Sequence, residues 1–243
     1  MDLFEQTLET PSYLCDRHDR LHPWAAVRLC QEVSEAHSKA TGIGYEELIS
    51  QNRIWILSRA YYNIYRRPSA YEKVMLSTWS RGSDGLFAFR DYRMKSEAGE
   101  TLLTGTTYWP LIEFSTRRPI RLKEIMEHYE CRQEEATDHS VLERLRLPDM
   151  SQPDGCFEQP ALFSLIDHAQ HVNNAEYVRL VFDCLMQTDF DLEKPFGLEI
   201  NYQHETQPND MLSVSRKQDN DATFIQILNS RGLSVAAKIN HIL

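Results

Sequence analysis

Residues 54–68 read IWILSRAYYNIYRRP and residues 196–208 read FGLEINYQHETQP, two strand-like runs that each end in a proline. A second strand follows each run: VMLSTWS (74–80) after the first and MLSVSRK (211–217) after the second, both alternating like half-buried strands. Two more strands come next in each case. LFAFRDYRM (86–94) and ETLLTGTTYWPLIEF (100–114) flank Gly99, while TFIQIL (223–228) and LSVAAKINHIL (233–243) flank Gly232. A pattern repeated over this length constrains the architecture more than any short motif. It predicts two copies of one unit built from tight antiparallel hairpins.

A long helix precedes the strands of each copy. In the first, Pro23 suits the opening turn and Gly42 the end, bracketing WAAVRLCQEVSEAHSKAT. In the second, Asn173 and Glu176 fit a capping pattern, and Tyr177, Leu180, Val181, Cys184 and Leu185 then form one apolar stripe. That stripe makes Cys184 a core residue. One helix and an antiparallel sheet, twice over, is an α+β architecture in which each sheet wraps its helix. The expected organisation is a first unit at 1–122, a linker at 123–155 and a second unit at 156–243. The linker is polar, with a short helix expected near Ser140 to Leu147.

Composition narrows the function classes. The chain has 243 residues, of which 42% are hydrophobic and 26% charged, values of an ordinary globular protein. No apolar run approaches the roughly 18 residues of a membrane span, and Met1 to Pro11 lacks a signal peptide's layout. A soluble, cytoplasmic protein is expected. The net charge of −10 has the wrong sign for neutralising nucleic-acid phosphates. Of the 26 basic residues, 20 precede residue 150, so an acidic partner would meet the first part, with Arg66, Arg67, Arg117, Arg118 and Arg121 as the candidate patch. The five cysteines are odd in number and contain no C-x-x-C pair, and His168 and His171 lack H-E-x-x-H companions. No disulfide framework, metal or organic cofactor is expected.

The polar cluster that stands out is Asp167, His168, His171, Asn173 and Asn174, in SLIDHAQHVNNAEY just before the second helix. Backbone N–H groups at a helix start lack partners and can hold an oxyanion or polarise a carbonyl. The alternative is that Asp167 and the asparagines only cap the helix. Glu205 adds a carboxylate three residues before Pro208, where the first copy has Tyr65 before Pro68. The first copy keeps His18 and His22 but lacks the carboxylate, which makes the second copy the candidate for chemistry. No G-x-S-x-G elbow, Walker loop or G-x-G-x-x-G is present.

IDHAQHVNNAEYVRLVFD (166–183) followed by LEINYQHET (198–206) resembles the active-site half of the acyl-ACP thioesterases. In the first half, IWILSRAYYNIYRRP, LSTWSRG and YWPLIEFSTRRPIRL are similar to that family's N-terminal domain, so the resemblance runs from about Tyr13 onward. It implies a double hot-dog fold and hydrolysis of the thioester of fatty acyl-carrier protein. The family pattern Asp, any, Asn, any, His, Val, Asn, Asn is met by Asp167, His171, Val172, Asn173 and Asn174. Ala169 stands where the pattern has its central Asn, and Thr206 follows Glu205 where plant members have cysteine.

The resulting expectation is that Glu205, helped by His171, activates water, that Asp167 orients the cluster, and that backbone N–H groups near Asn173 and Asn174 hold the oxyanion. Trp24, Trp55 and Trp79 are expected in an apolar tunnel for the acyl chain. Arg66, Arg67, Arg117 and Arg118 are expected to dock the acidic carrier protein. An acyl-CoA thioesterase and a non-catalytic acyl-carrier binding protein are the alternatives, the second raised by Ala169. The chain could act as a monomer or a homodimer.

Overall fold

The computed structural model describes residues 2–127, 129–139 and 142–242. In chain order its elements are β1 (Phe4–Glu9), α1 (Pro23–Ala40), α2 (Tyr45–Ser50), β2 (Arg53–Trp55), β3 (Arg59–Ile64), β4 (Lys73–Ser83), β5 (Phe87–Ser96), β6 (Thr101–Glu113), α3 (Lys123–Met126), β7 (Gly155–Pro160), α4 (Asn174–Leu185), β8 (Phe196–Tyr202), β9 (Met211–Asp219), β10 (Ala222–Asn229) and β11 (Gly232–His241). A single 3-10 turn precedes each long helix, at Ser12–Leu14 and Phe163–Leu165.

α1 begins where Pro23 occupies the first turn without leaving an N–H unpaired, and Gly42, at φ +75°, lies just past its end. α4 begins at Asn173, whose side-chain oxygen accepts the Ala175 N–H. Glu176 does not complete a reciprocal cap. Its carboxylate pairs with Arg179 at 2.7 Å and with Arg28 of α1 at 3.2 Å, tying the two helices together. All five residues of the expected stripe on α4 are buried, and burial pushes the Cys184 thiol up.

The strands form one antiparallel sheet in the order β1-β4-β5-β6-β3-β8-β11-β10-β9-β7, with β2 pairing β6. The order reads alike from both ends, so the two copies meet at β3 and β8, which pair from Arg59↔Asn201 to Ile64↔Phe196. Ala60, Tyr62 and Ile64 of β3 and Leu198 and Ile200 of β8 face the helices and share one core with Val27 and Cys30 of α1 and Leu180 and Val181 of α4. Burying each valine, leucine or isoleucine of this set stabilises by about 1.5–3 kcal/mol. The two helices lie against each other within the curved sheet, the double hot-dog arrangement.

The run 54–68 is two strands rather than one. Trp55 pairs with Leu111, but Arg59 pairs with Tyr108, so the register slips by a residue opposite Pro110, which has no N–H for the ladder. β1 and β7 are edge strands absent from the sequence reading. FEQTLE and GCFEQP are mostly polar and half exposed, so alternation leaves little trace in them. The connection through 123–155 folds back onto the outer face of the sheet: Trp79 donates to the Glu134 carbonyl, the Ala136 N–H to Asp91 and the Leu145 N–H to Asn201. Residues 142–147 carry no helix, and Ser140 and Val141 of the expected one lie outside the described residues. Among the described residues no helix is long and apolar enough to cross a membrane.

Candidate active site

The loop before α4 is built by its own backbone. Ile166 and Val172 form a bridge, the Asp167 N–H donates to the His171 carbonyl, and the Gln170 N–H returns to the Asp167 carbonyl, with Gln170 at φ 65°. Asp167 braces this turn rather than the imidazole: one carboxylate oxygen accepts the Ala169 N–H at 2.9 Å and the other the Asn173 side-chain amide at 3.4 Å. His171 is thereby projected from the loop. Its Nε2 lies 3.2 Å from Glu205 Oε2.

Glu205 lies past the end of β8, where strand pairing no longer fixes side-chain directions. The Val172 N–H bonds the Thr206 carbonyl, fastening this segment to the His171 loop. Behind it sits a buried hydroxyl group cluster. Tyr177 donates to Thr206 Oγ1 at 2.7 Å, Thr206 and Ser234 hydroxyls meet at 3.2 Å, and Asn229 donates to Thr206 Oγ1 and the Glu205 carbonyl. Burial raises the Tyr177 phenol, so it stays protonated and able to donate. The other Glu205 oxygen, Oε1, is 3.1 Å from Arg117 Nη1.

Arg117, His171, Tyr177, Glu205 and Ser234 line a cavity of about 240 Å³. Ala169, His171, Asn174, Glu205 and Ser234 form its second-unit wall, while Tyr45, Leu48, Trp55, Trp109 and Arg117 come from the first unit. Glu35, Trp55 and Trp109 also border a smaller cavity of about 70 Å³ that reaches between α1 and β5. The two cavities thus adjoin at Glu35, Trp55 and Trp109 of the first unit.

Asp167, His171, Asn174 and Glu205 are brought together, whereas the Asn173 side chain is used in capping and in bracing Asp167. Trp55 lines the cavity. Trp24 does not: it stacks on His22, ring centroids 5.6 Å apart, at a separate groove. Trp79 is also elsewhere, because Leu76 and Thr78 of β4 face inward or the helix side in even register and Trp79 falls on the outer face beneath the connection. The four arginines do not form one patch. Arg66 lies beside Leu102 at the start of β6, and Arg117 and Arg118 follow its end, which at about 3.3 Å per residue separates the pairs by roughly 40 Å. Arg66 is also held by Glu72 and Glu100, and Arg67 is buried in ion pairs with Asp16 and Glu193.

The residues aligned by proline also shift. The Leu21 N–H bonds the Pro68 carbonyl as the Val172 N–H bonds that of Thr206, so Pro68 matches Thr206 and Glu205 is matched by Arg67, not Tyr65. His171 is matched by Arg20, not by His18 or His22, because Asp16 bonds the Arg20 carbonyl as Asp167 bonds that of His171. Tyr45, Trp109, Tyr177 and Ser234 were not legible as site residues. Tyr177 counts in sequence as part of an apolar stripe, and nothing local marks the others.

The chain is thus a duplicated hot-dog in which His171, from the loop before α4, faces Glu205, from the segment after β8. Residues 1–129 match the family model of the acyl-ACP thioesterase N-terminal domain and residues 159–240 that of the C-terminal domain; the chain belongs to the acyl-ACP thioesterase family. Oleoyl-acyl carrier protein thioesterase 2, chloroplastic, of Arabidopsis thaliana is 24% identical over 234 residues, covering 88% of this chain. The chain spans 62% of that relative's length. Among solved structures, an acyl-ACP thioesterase from Bacteroides thetaiotaomicron matches with a TM-score of 0.83 at 21% identity, covering 99% of this chain and 98% of the other. The 12:0-ACP thioesterase from Umbellularia californica matches with a TM-score of 0.81 at 21% identity, covering 98% and 96%. These likenesses establish the shared fold.

Proposed function

We propose that the chain hydrolyses the thioester of fatty acyl-carrier protein, releasing the free acid and ending chain elongation. The observation that carries this reading is the Glu205 carboxylate, 3.2 Å from His171 Nε2, in the wall of a cavity that Leu48, Trp55 and Trp109 of the first unit also line. A water held by Glu205 attacks the thioester carbonyl carbon while its proton passes to the carboxylate, oriented by His171. The tetrahedral oxyanion is held by the backbone N–H of Asn174, at the start of α4 where the helix dipole is positive, because the Asn173 N–H is taken by the Leu165 carbonyl and the Ala175 N–H by the Asn173 side chain. Collapse breaks the C–S bond, and the leaving thiolate takes the proton back. Asp167 keeps the loop in shape.

In this reading the second unit carries the chemistry and the first unit the acyl chain, with Trp55 at the junction. The acidic carrier meets the end of the molecule where Arg118 is exposed, an attraction that weakens with salt. The cytoplasm, where carrier-bound chains would be elongated, is the proposed location. Free-thiol release from a panel of acyl-carrier proteins, with matching acyl-CoAs alongside, tests the proposal. Hydrolysis lost in E205A and H171A supports it, and faster turnover of the CoA thioesters reassigns the carrier. Ala169 favours one rival, an acyl-carrier binding protein, because the cavity wall there lacks a side-chain amide. Tight binding without turnover would select that rival.

A further inference from the structure

We infer that Arg117 is a positioning residue, contributed by the first unit, that fixes the Glu205 carboxylate for its work in the second; the inference rests on the thioesterase reading above. Glu205 stands where the β8 ladder has ended, so its direction must be set by side-chain partners. Each oxygen has one: Oε2 faces His171 Nε2 at 3.2 Å and Oε1 faces Arg117 Nη1 at 3.1 Å. Held at both oxygens, the carboxylate has its plane set, and the remaining lone pairs are available to a water in the cavity.

The turn that carries Arg117 is built to hold it. Arg117 has φ 58°, a left-handed conformation that is strained for a non-glycine residue. Several bonds impose it. The Arg117 N–H donates to the Glu113 carbonyl at 2.8 Å, and the Glu113 N–H to that of Arg118 at 2.9 Å. The Thr116 hydroxyl bonds the Glu113 carboxylate, and Asn52 exchanges hydrogen bonds with Ser115 through both ends of its side-chain amide. The guanidinium carbon then lies 5.3 Å from the centre of the Phe114 ring. A strained residue fixed by so many contacts, with its charge against the proposed base, marks a held position rather than a mobile surface arginine.

The pair is partly open to water, with side-chain exposures of 43% for Arg117 and 32% for Glu205, so it adds little to folding stability. Its effect is expected in turnover. That separates positioning from carrier docking, which would change apparent affinity for the carrier-borne substrate alone.

The test compares R117M and R117K with wild type on an acyl-carrier protein and on the same acyl group as a CoA thioester. R117M is expected to lower kcat about 10- to 100-fold on both substrates, with KM within about threefold and the melting temperature nearly unchanged. R117K should recover part of the loss, since it restores the charge but not the planar fork. In an E205Q background R117M should lower the residual rate by less than about threefold, because it acts through Glu205. Unchanged kcat in R117M, or a loss confined to KM on the carrier-borne substrate, overturns the inference and leaves the thioesterase reading standing. A wild-type chain inactive on both substrates overturns the reading itself, and the inference with it.

Discussion

The loop before α1 and the loop before α4 share one backbone and carry different chemistry. Cys15 bridges Leu21 as Ile166 bridges Val172, Asp19 and Gln170 both take positive φ, and the Asp16 and Asp167 carboxylates accept the N–H groups of His18 and Ala169. The strand-end segments match as well, since the Ser69 N–H bonds Glu72 as the Gln207 N–H bonds Asp210. On this common frame the second unit places His171 and Glu205 beside a cavity, while the first places Arg20 and Arg67. Arg67 is buried between Asp16 and Glu193. The duplicated backbone supplies a place for two facing side chains, and their identity decides whether the place holds a His–carboxylate pair beside a cavity or an arginine locked in ion pairs.

Several experiments would break or sharpen this contrast. E205Q should have the largest effect, lowering kcat by about 100- to 10,000-fold with the fold retained, as judged by circular dichroism and steady-state thiol release. Near-wild-type turnover would remove the acid–base centre from the second unit. R67M should act on the other side of the comparison, destabilising by about 3–5 kcal/mol in denaturant titration, because Asp16 loses its buried counter-charge, while kcat stays within about twofold. A rate loss as large as that of E205Q would mean that the first-unit corner takes part in catalysis.

Y177F comes next. It removes one donor from the hydroxyl cluster behind Glu205, for an expected cost of about 1 kcal/mol in stability and a threefold to tenfold loss in kcat. A169N restores the amide of the family pattern and is expected to raise kcat about threefold to tenfold; a decrease would show that another group already fills that role. The smallest effect concerns acid stability. Burial alone would raise the Asp16 carboxyl, but hydrogen bonds from Arg67 and from the His18 and Arg20 N–H groups hold it below the usual aspartate range. A lowered folded value stabilises fully above the unfolded value of about 3.9 and is lost as pH falls through the folded value. Wild type should therefore lose melting temperature below about pH 4 more steeply than D16N. Equal slopes would exclude Asp16 as a source of the acid sensitivity.

Elements with strong local periodicity were legible without tertiary information. Pro23 and Gly42 bracket α1 closely, and the apolar stripe of α4 is buried as its spacing required. Edge strands were not legible, since β1 and β7 gain their pairing from partners distant in sequence. Pro68 and Pro208 also do not occupy equivalent places in the two copies, since Pro68 matches Thr206. Prolines mark chain direction locally, whereas the match between corners is set by backbone bonds such as those of Leu21 and Val172.

By itself, then, the sequence determined the duplicated α+β plan, the position of both long helices and the candidacy of Asp167, His171 and Glu205, because helix caps, alternation and motif spacing are properties of short segments. The tertiary structure alone decided that Trp79 faces outward while Trp55 borders the cavity, that Arg66 and Arg67 are consumed by carboxylates far from Arg117, and that a first-unit turn reaches the second-unit glutamate. Those outcomes depend on which face of a sheet a residue occupies and on which remote charge it meets, and both are fixed only when the two units close around one core.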